Sequence, residues 1–285
     1  MNATDFNIRT AASSDRSRLA NLIHFSAYIH QHLDWKPALD WIGQKPYNLM
    51  ESNTSLLAAL ACPADLPDIT WIRLFAVSSK LAVEIAWRRL WQAVLNELSM
   101  AGNMRISALS LQGWFNQLLE DSRFAHTDNV IVLLWDQTTP FPKPATGVTA
   151  IQSMQPENVN SIVGIDHAAF GLDWKNSLEA LELAYQQSSY ARVAVLDGEI
   201  VGYQYCTTST MGGHLARLAV KPSAQGKGIG YLLVHDVLEH YKRQGAMHVT
   251  VNTQEKNSAS LALYAKAGFR STGESYRVYQ YMIKD

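Results

Sequence analysis

Gln225-Gly226-Lys227-Gly228-Ile229-Gly230 stands between an apolar run ending at Val220 and an amphipathic segment beginning at Tyr231. The order reads as strand, glycine-rich turn, helix. Such a turn leaves backbone N–H groups unpaired at a helix N-terminus, where the partial positive charge favours an anion. Glycines let the main chain approach a phosphate without Cβ interference. The stretch therefore predicts a pyrophosphate cradle. Two common cradles do not fit it. A dinucleotide-binding turn needs G-x-G-x-x-G, whereas these three glycines alternate with other residues; a P-loop needs G-K-[ST], and Lys227 is followed by Gly228.

Working outward, His214-Leu-Ala-Arg-Leu-Ala-Val220 leads through Lys221-Pro222 into the turn. Downstream, Leu232, Leu233, Val237, Leu238 and Tyr241 share one helical face, Gly245 ends the helix as a C-cap, and Met247 to Val251 reads as a short strand. Asn257 to Phe269 then runs NSASLALYAKAGF. Gln225-x-x-Gly228-x-Gly230 resembles the acyl-CoA loop of the GNAT N-acetyltransferases, [QR]-x-x-G-x-[GA]. The later segment is similar to that family's N-x-x-[AS]-x-x-L-Y-x-x-x-G-F. The resemblance covers roughly residues 147–285.

That resemblance implies a strand pair, fourth and fifth in the fold, that splays apart. The backbone of Leu218, Ala219 and Val220 then holds the pantetheine arm and acyl carbonyl of acetyl-CoA. Gln225, Gly226, Lys227, Gly228, Ile229 and Gly230 bind its pyrophosphate by main chain, with Lys227 a possible added charge. Asn257 contacts the pantetheine amide or sits at the helix cap, a role Asn fills on its own account. Tyr264 resembles the family tyrosine beside the thioester sulfur and is the candidate general acid. An ordinary phenol pKa of about 10 keeps it protonated at neutral pH. Its alternative is a core residue with a wet hydroxyl.

For the general base the chain departs from one branch of the family. Ribosomal-protein N-terminal acetyltransferases carry a glutamate five residues before the motif asparagine, where this chain has Asn252. The histone-acetyltransferase branch places a glutamate on the fourth strand, and the matching position here is His214. Strand alternation puts His214 on the face of Ala216, Leu218 and Val220. Its alternative is a surface residue beside Gly212-Gly213. Glu255 and Asp173, on loops, are further candidates, as is solvent. The implied activity is transfer of an acetyl group from acetyl-CoA to a primary amine on a protein or small molecule. A non-catalytic acyl-CoA sensor or scaffold is the rival reading, with Asn252 in its favour and Tyr264 against it.

Composition bounds the rest. A chain of 285 residues suggests two domains, and 47% hydrophobic with 17% charged residues supplies real cores. A net charge of −1 speaks against nucleic acid or an anionic membrane as the main partner. Two cysteines, Cys62 and Cys206, imply no disulfide framework and suit a reducing cytoplasm. No apolar leader or spanning segment stands out. His24, His30 and His32 lack the partners of a metal site. Residues 136–147 (DQTTPFPKPATG) read as a semi-extended linker, and one order of elements recurs on either side.

Matching Val77 to Val220 puts Ala82, Ile85 and Trp87 where the loop residues Gln225, Gly228 and Gly230 stand, so the cradle is absent and bulky side chains would block a phosphate; Leu119 matches Tyr264. The expected fold is α/β: two tandem GNAT-like domains, each a mixed, mostly antiparallel sheet flanked by helices. Residues 1–135 form a degenerate copy, 148–285 the working domain. Seven of the eight tryptophans precede the linker, as core or as an aromatic pocket near Trp35 and Trp41 for a cationic amine.

Overall fold

The computed structural model describes residues 6–283 apart from 53, 54, 103, 146 and 148. The first half carries β1 (Asn7–Thr10), α1 (Arg16–Phe25), β2 (Tyr28–Gln31), β3 (Tyr47–Ser52), β4 (Ser55–Ala61), β5 (Ala64–Leu66) and β6 (Ile69–Trp71). It continues with β7 (Leu74–Val77), α2 (Val83–Leu98), β8 (Met104–Ser110), α3 (Gly113–Asp121) and β9 (Ala125–Asp136). The second half carries β10 (Ala150–Ser153), α4 (Asn158–Ala169), α5 (Leu178–Gln187), β11 (Tyr190–Leu196) and β12 (Glu199–Thr208). Then come β13 (Gly212–Val220), α6 (Ile229–Arg243), β14 (His248–Gln254), α7 (Ser258–Lys266) and β15 (Arg270–Ile283). Apart from β6 with β8 and β13 with β14, which run parallel, the described strand registers are antiparallel. Among the described residues, no helix is long and apolar enough to cross a membrane.

The chain forms two compact units, one from residues up to Thr127 with the stretch from Arg277, the other Asp128–Tyr276. These divisions differ from the 136–147 boundary because each half gives away its last strand. β9 pairs with β14, from Asp136 opposite His248 to Val130 opposite Gln254. The end of β15 pairs with β8, from Arg277 opposite Ser110 to Ile283 opposite Met104. Side chains follow the backbone: Trp135 is buried with Tyr264 and Phe269 in the second unit, Tyr279 with Trp87 and Phe115 in the first. The proline-rich stretch is packed rather than free. The indole N–H of Trp135 donates to the Thr139 carbonyl at 3.0 Å, and the Tyr231 hydroxyl to the Pro142 carbonyl at 2.6 Å.

The parallel strand pair recurs in both units with the same register. Ile69 faces Arg105 as Gly212 faces His248, and Trp71 faces Ser107 as His214 faces Thr250, a shift of 143 residues on both strands. In the first unit α1 packs with Leu74 and Ala76, while Phe75 and Val77 turn to α2. Trp87 and Trp91 stack at 5.5 Å, and Phe75 and Phe115 meet Trp87 edge-on. Lys36 lies 4.4 Å and Arg73 4.7 Å from the centre of the Trp41 ring. His30 stacks on Phe115, and its Nε2 meets the Ile72 carbonyl at 3.1 Å.

In the second unit the sheet runs β10-β11-β12-β13-β14-β9-β15. Alternation along β12 separates its two faces. The hydroxyls of Tyr203 and Tyr205 reach Asp166 of α4 and the Leu181 carbonyl of α5. Gly202 and Cys206 turn to α6, where a Cβ on Gly202 would meet Leu233 at 3.3 Å. Asp197 and Gly198 both take positive φ, 51° and 80°, giving the tight hairpin their sequence predicts.

Candidate functional site

β13 and β14 run side by side only from Gly212 opposite His248 to Leu215 opposite Val251, and then part. A bulge explains the parting. On the β12 side Cys206 faces Leu215 and Tyr205 faces Arg217, so Ala216 is an extra residue that bends the strand. Beyond it, β13 keeps β12 as partner to Val220, and β14 keeps β9 to Gln254. Leu218, Ala219 and Val220 therefore lie in the part of β13 whose other edge is free of β14.

The strand delivers the chain into a 3-10 turn at Pro222–Ala224, and the Gln225 side chain closes back on the Val220 carbonyl at 3.0 Å. Gly226 and Gly228 adopt φ of 75° and 80°, and nothing lies within 4 Å of where their Cβ atoms would stand. Gly228 caps α6, whose first backbone bond runs from the Leu232 N–H to the Gly228 carbonyl at 3.0 Å. The amides of the preceding turn have no intrahelical acceptor. Lys227 is exposed beside them. Ile229 is buried against Val220 and Leu233, so its side chain anchors the loop. Gly230 serves a close approach to α7: a Cβ there would lie 3.3 Å from Leu263.

Asn257 acts as the cap of α7, its side chain accepting the Ser260 N–H at 3.1 Å. Tyr264 is buried edge-on to Phe269 at 5.5 Å, and burial pushes its phenol far above the ordinary value. His214 sits one residue before the strands part, half-buried, with Nδ1 2.9 Å from the Thr250 hydroxyl. Burial lowers its pKa below 6.5. The bulge corrects the expected orientation of His214. Leu215 packs on the α6 side together with Leu218, while Val220 meets Leu233 of that helix. His214 therefore points to the opposite face, toward the α4 and α5 layer. Glu255 accepts the Asn129 side-chain amide at 2.7 Å.

Sequence reasoning passed over Arg217 and Asp166. Asp166 is fully buried on α4 and takes the Tyr203 hydroxyl, the Arg217 Nε–H at 2.6 Å and the Asn176 N–H at 3.0 Å. The signal was present as a lone carboxylate in an apolar helix and a lone guanidinium in an apolar strand, since unpaired charges are rarely buried.

The equivalent cleft of the first unit is filled. There β2 pairs along β7, with Tyr28 opposite Val77 and Gln31 opposite Leu74. It covers the residues that match 217–220. No glycine loop follows, and α2 begins at once after Ala82. Trp87, expected to stand in the way of a phosphate, turns into the core and donates to Ser122 at 2.7 Å. Leu119, the counterpart of Tyr264, is fully buried.

The profile of the Acetyltransferase (GNAT) family matches residues 159–269. The N-alpha-acetyltransferase RimI of Mycobacterium tuberculosis is 32% identical over 111 residues, which cover 38% of this chain and 68% of that protein. The peptidyl-lysine N-acetyltransferase YjaB of Salmonella typhimurium is 33% identical over 103 residues, 36% of this chain and 65% of that one. Among solved structures, a GCN5-related N-acetyltransferase from Sphaerobacter thermophilus superposes with a TM-score of 0.64 at 16% identity, covering 98% of this chain and 96% of its own. A tandem GNAT protein from the clavulanic acid biosynthesis pathway gives 0.64 at 14%, covering 98% of both chains. At such identities the likeness is one of fold. Through its second half, and with a tandem arrangement of the fold, the chain belongs to the GNAT family of acetyltransferases.

Proposed function

We propose that the chain is an acetyl-CoA-dependent N-acetyltransferase acting on a primary amine, with its one donor site in the second unit. The supporting observation is the parting of β13 from β14 just ahead of a positive-φ glycine loop at a helix start. An open strand edge suits amide groups, and the loop suits phosphates. The residues fit the donor, because open space lies where Cβ atoms on Gly226 and Gly228 would intrude.

Bound there, acetyl-CoA would supply the activated thioester. The amides from Gly226 to Gly230 would hold its pyrophosphate beside Lys227, and the edge of Leu218, Ala219 and Val220 its arm. Tyr264 keeps its proton at neutral pH and is the donor available to a leaving sulfur. His214 is neutral at pH 7, which suits a base working through Nε2 while Thr250 holds Nδ1. Asn257 is occupied by its cap. The repeat boundaries 1–135 and 148–285 follow the recurring order of elements along the sequence, whereas the folded units exchange strands.

Calorimetric titration of the full chain with acetyl-CoA tests this. We expect one site, lost in Gly228→Trp with the melting curve otherwise two-state and native-like, since the new side chain meets open space and the left-handed φ costs about 1–2 kcal/mol. Two sites would mean that β2 leaves the first cleft open, and no binding would remove the donor. A non-catalytic acyl-CoA sensor is the second reading, favoured by Asn252 where a carboxylate would serve as base. Thiol release in the presence of amines separates the two.

A further inference from the structure

Regular alternation would send the Arg217 side chain to α6 with Leu215. The bulge at Ala216 re-aims it to the opposite face, where it meets α4. The same irregularity that opens the cleft therefore sends a charge to the connector between α4 and α5 (residues 170–177). Three points of that connector converge on the charge pair. Phe170 lies under the guanidinium at 3.9 Å, the Trp174 carbonyl accepts from Arg217 at 2.7 Å, and the Asn176 N–H donates to Asp166 at 3.0 Å. His167 meets the Asn176 carbonyl at 2.9 Å. Otherwise the connector has one short 3-10 turn, Leu172–Trp174, and no strand pairing of its own.

We propose that Arg217, gripped by Asp166 and Tyr203, is a positioning residue that latches the connector to the open half of β13. Resting on the acetyl-transfer reading, this makes the connector move with the strand that holds the donor. A buried carboxylate and guanidinium are costly to desolvate, and this pair is kept with its polar atoms satisfied by the elements it joins. Arg217 directly precedes Leu218, so an ordered strand edge and an ordered connector share one network, the physical basis for coupling two sites.

Hydrogen exchange with and without acetyl-CoA tests the latch in full-length protein. In the wild type, acetyl-CoA slows exchange across 216–230 and across 170–177 together, about fivefold or more. Arg217→Lys keeps the charge but loses the fork, and Tyr203→Phe removes one donor and is the milder change. In both, acetyl-CoA still protects 216–230 with a Kd within about threefold of wild type, while protection of 170–177 is lost. Equal protection of 170–177 in the variants, or none in the wild type alongside protected 216–230, overturns the latch. Absence of binding and of any protection overturns the donor reading beneath it.

Discussion

Tyr264 lies in a core that includes Trp135, Val251 and Phe269, so its hydroxyl is presented by packing rather than by hydrogen bonds to the described residues. Replacing it with Phe keeps that packing and removes only the hydroxyl. Tyr264→Phe is expected to lower kcat about 10²-fold with acetyl-CoA affinity nearly unchanged, read by thiol release and calorimetry. Unchanged turnover would return the residue to the core. For His214, burial moves the acid limb of the rate profile below pH 6.5, and His214→Ala should flatten that limb. His30 supplies a stability test of the same kind. Burial lowers its pKa to about 4, so the unfolded chain takes up a proton that the native one refuses. Stability is complete above pH 6.5 and falls as the pH drops toward 4, by about 3 kcal/mol for this residue. Denaturant midpoints of His30→Asn should show a shallower slope across that window.

At the scale of elements, the glycine loop and the Tyr264 helix were legible because their requirements are local: positive φ, a cap, a helical stripe. The bulge at Ala216 was not, since nothing in HLARLAV marks one extra residue until β12 is laid beside it. The orientation of His214 failed for that reason. β2 was equally hidden: Tyr-Ile-His-Gln shows no decisive period, and its partner Leu74–Val77 lies far along the chain. Yet β2 explains the closed first cleft better than the bulky side chains that the alignment offered. β9 carries a further prediction. A chain starting at Gly147 lacks the partner of β14 and the buried Trp135. We expect that fragment to aggregate or to bind no acetyl-CoA, measured by light scattering and calorimetry. A folded, binding fragment would show β9 to be dispensable.

For the molecule as a whole, the sequence order suggested two successive domains, and the folded units cut across it at Asp128 and Arg277. No local pattern reveals such an exchange, because an apolar strand reads alike whichever sheet receives it. Deleting residues from Arg277 should strip Tyr279 and Tyr281 from the first unit. Trp91, which Tyr281 meets edge-on at 5.3 Å, should then change its fluorescence while the glycine loop remains in the chain. A spectrum identical to that of the full chain would contradict the pairing of β15 with β8.

The late pairing of Met104–Ser110 with residues 277–283 also bears on how the protein is born. On a ribosome the amino-terminal half emerges long before its closing strand has been translated. Its β8 edge must wait, unpaired, until residues 277–283 have left the exit tunnel, so the ladder closes only late in synthesis. Nascent chains stalled short of residue 277 should therefore engage chaperones more than completed ones do, a vulnerability that two sequentially folding domains would avoid.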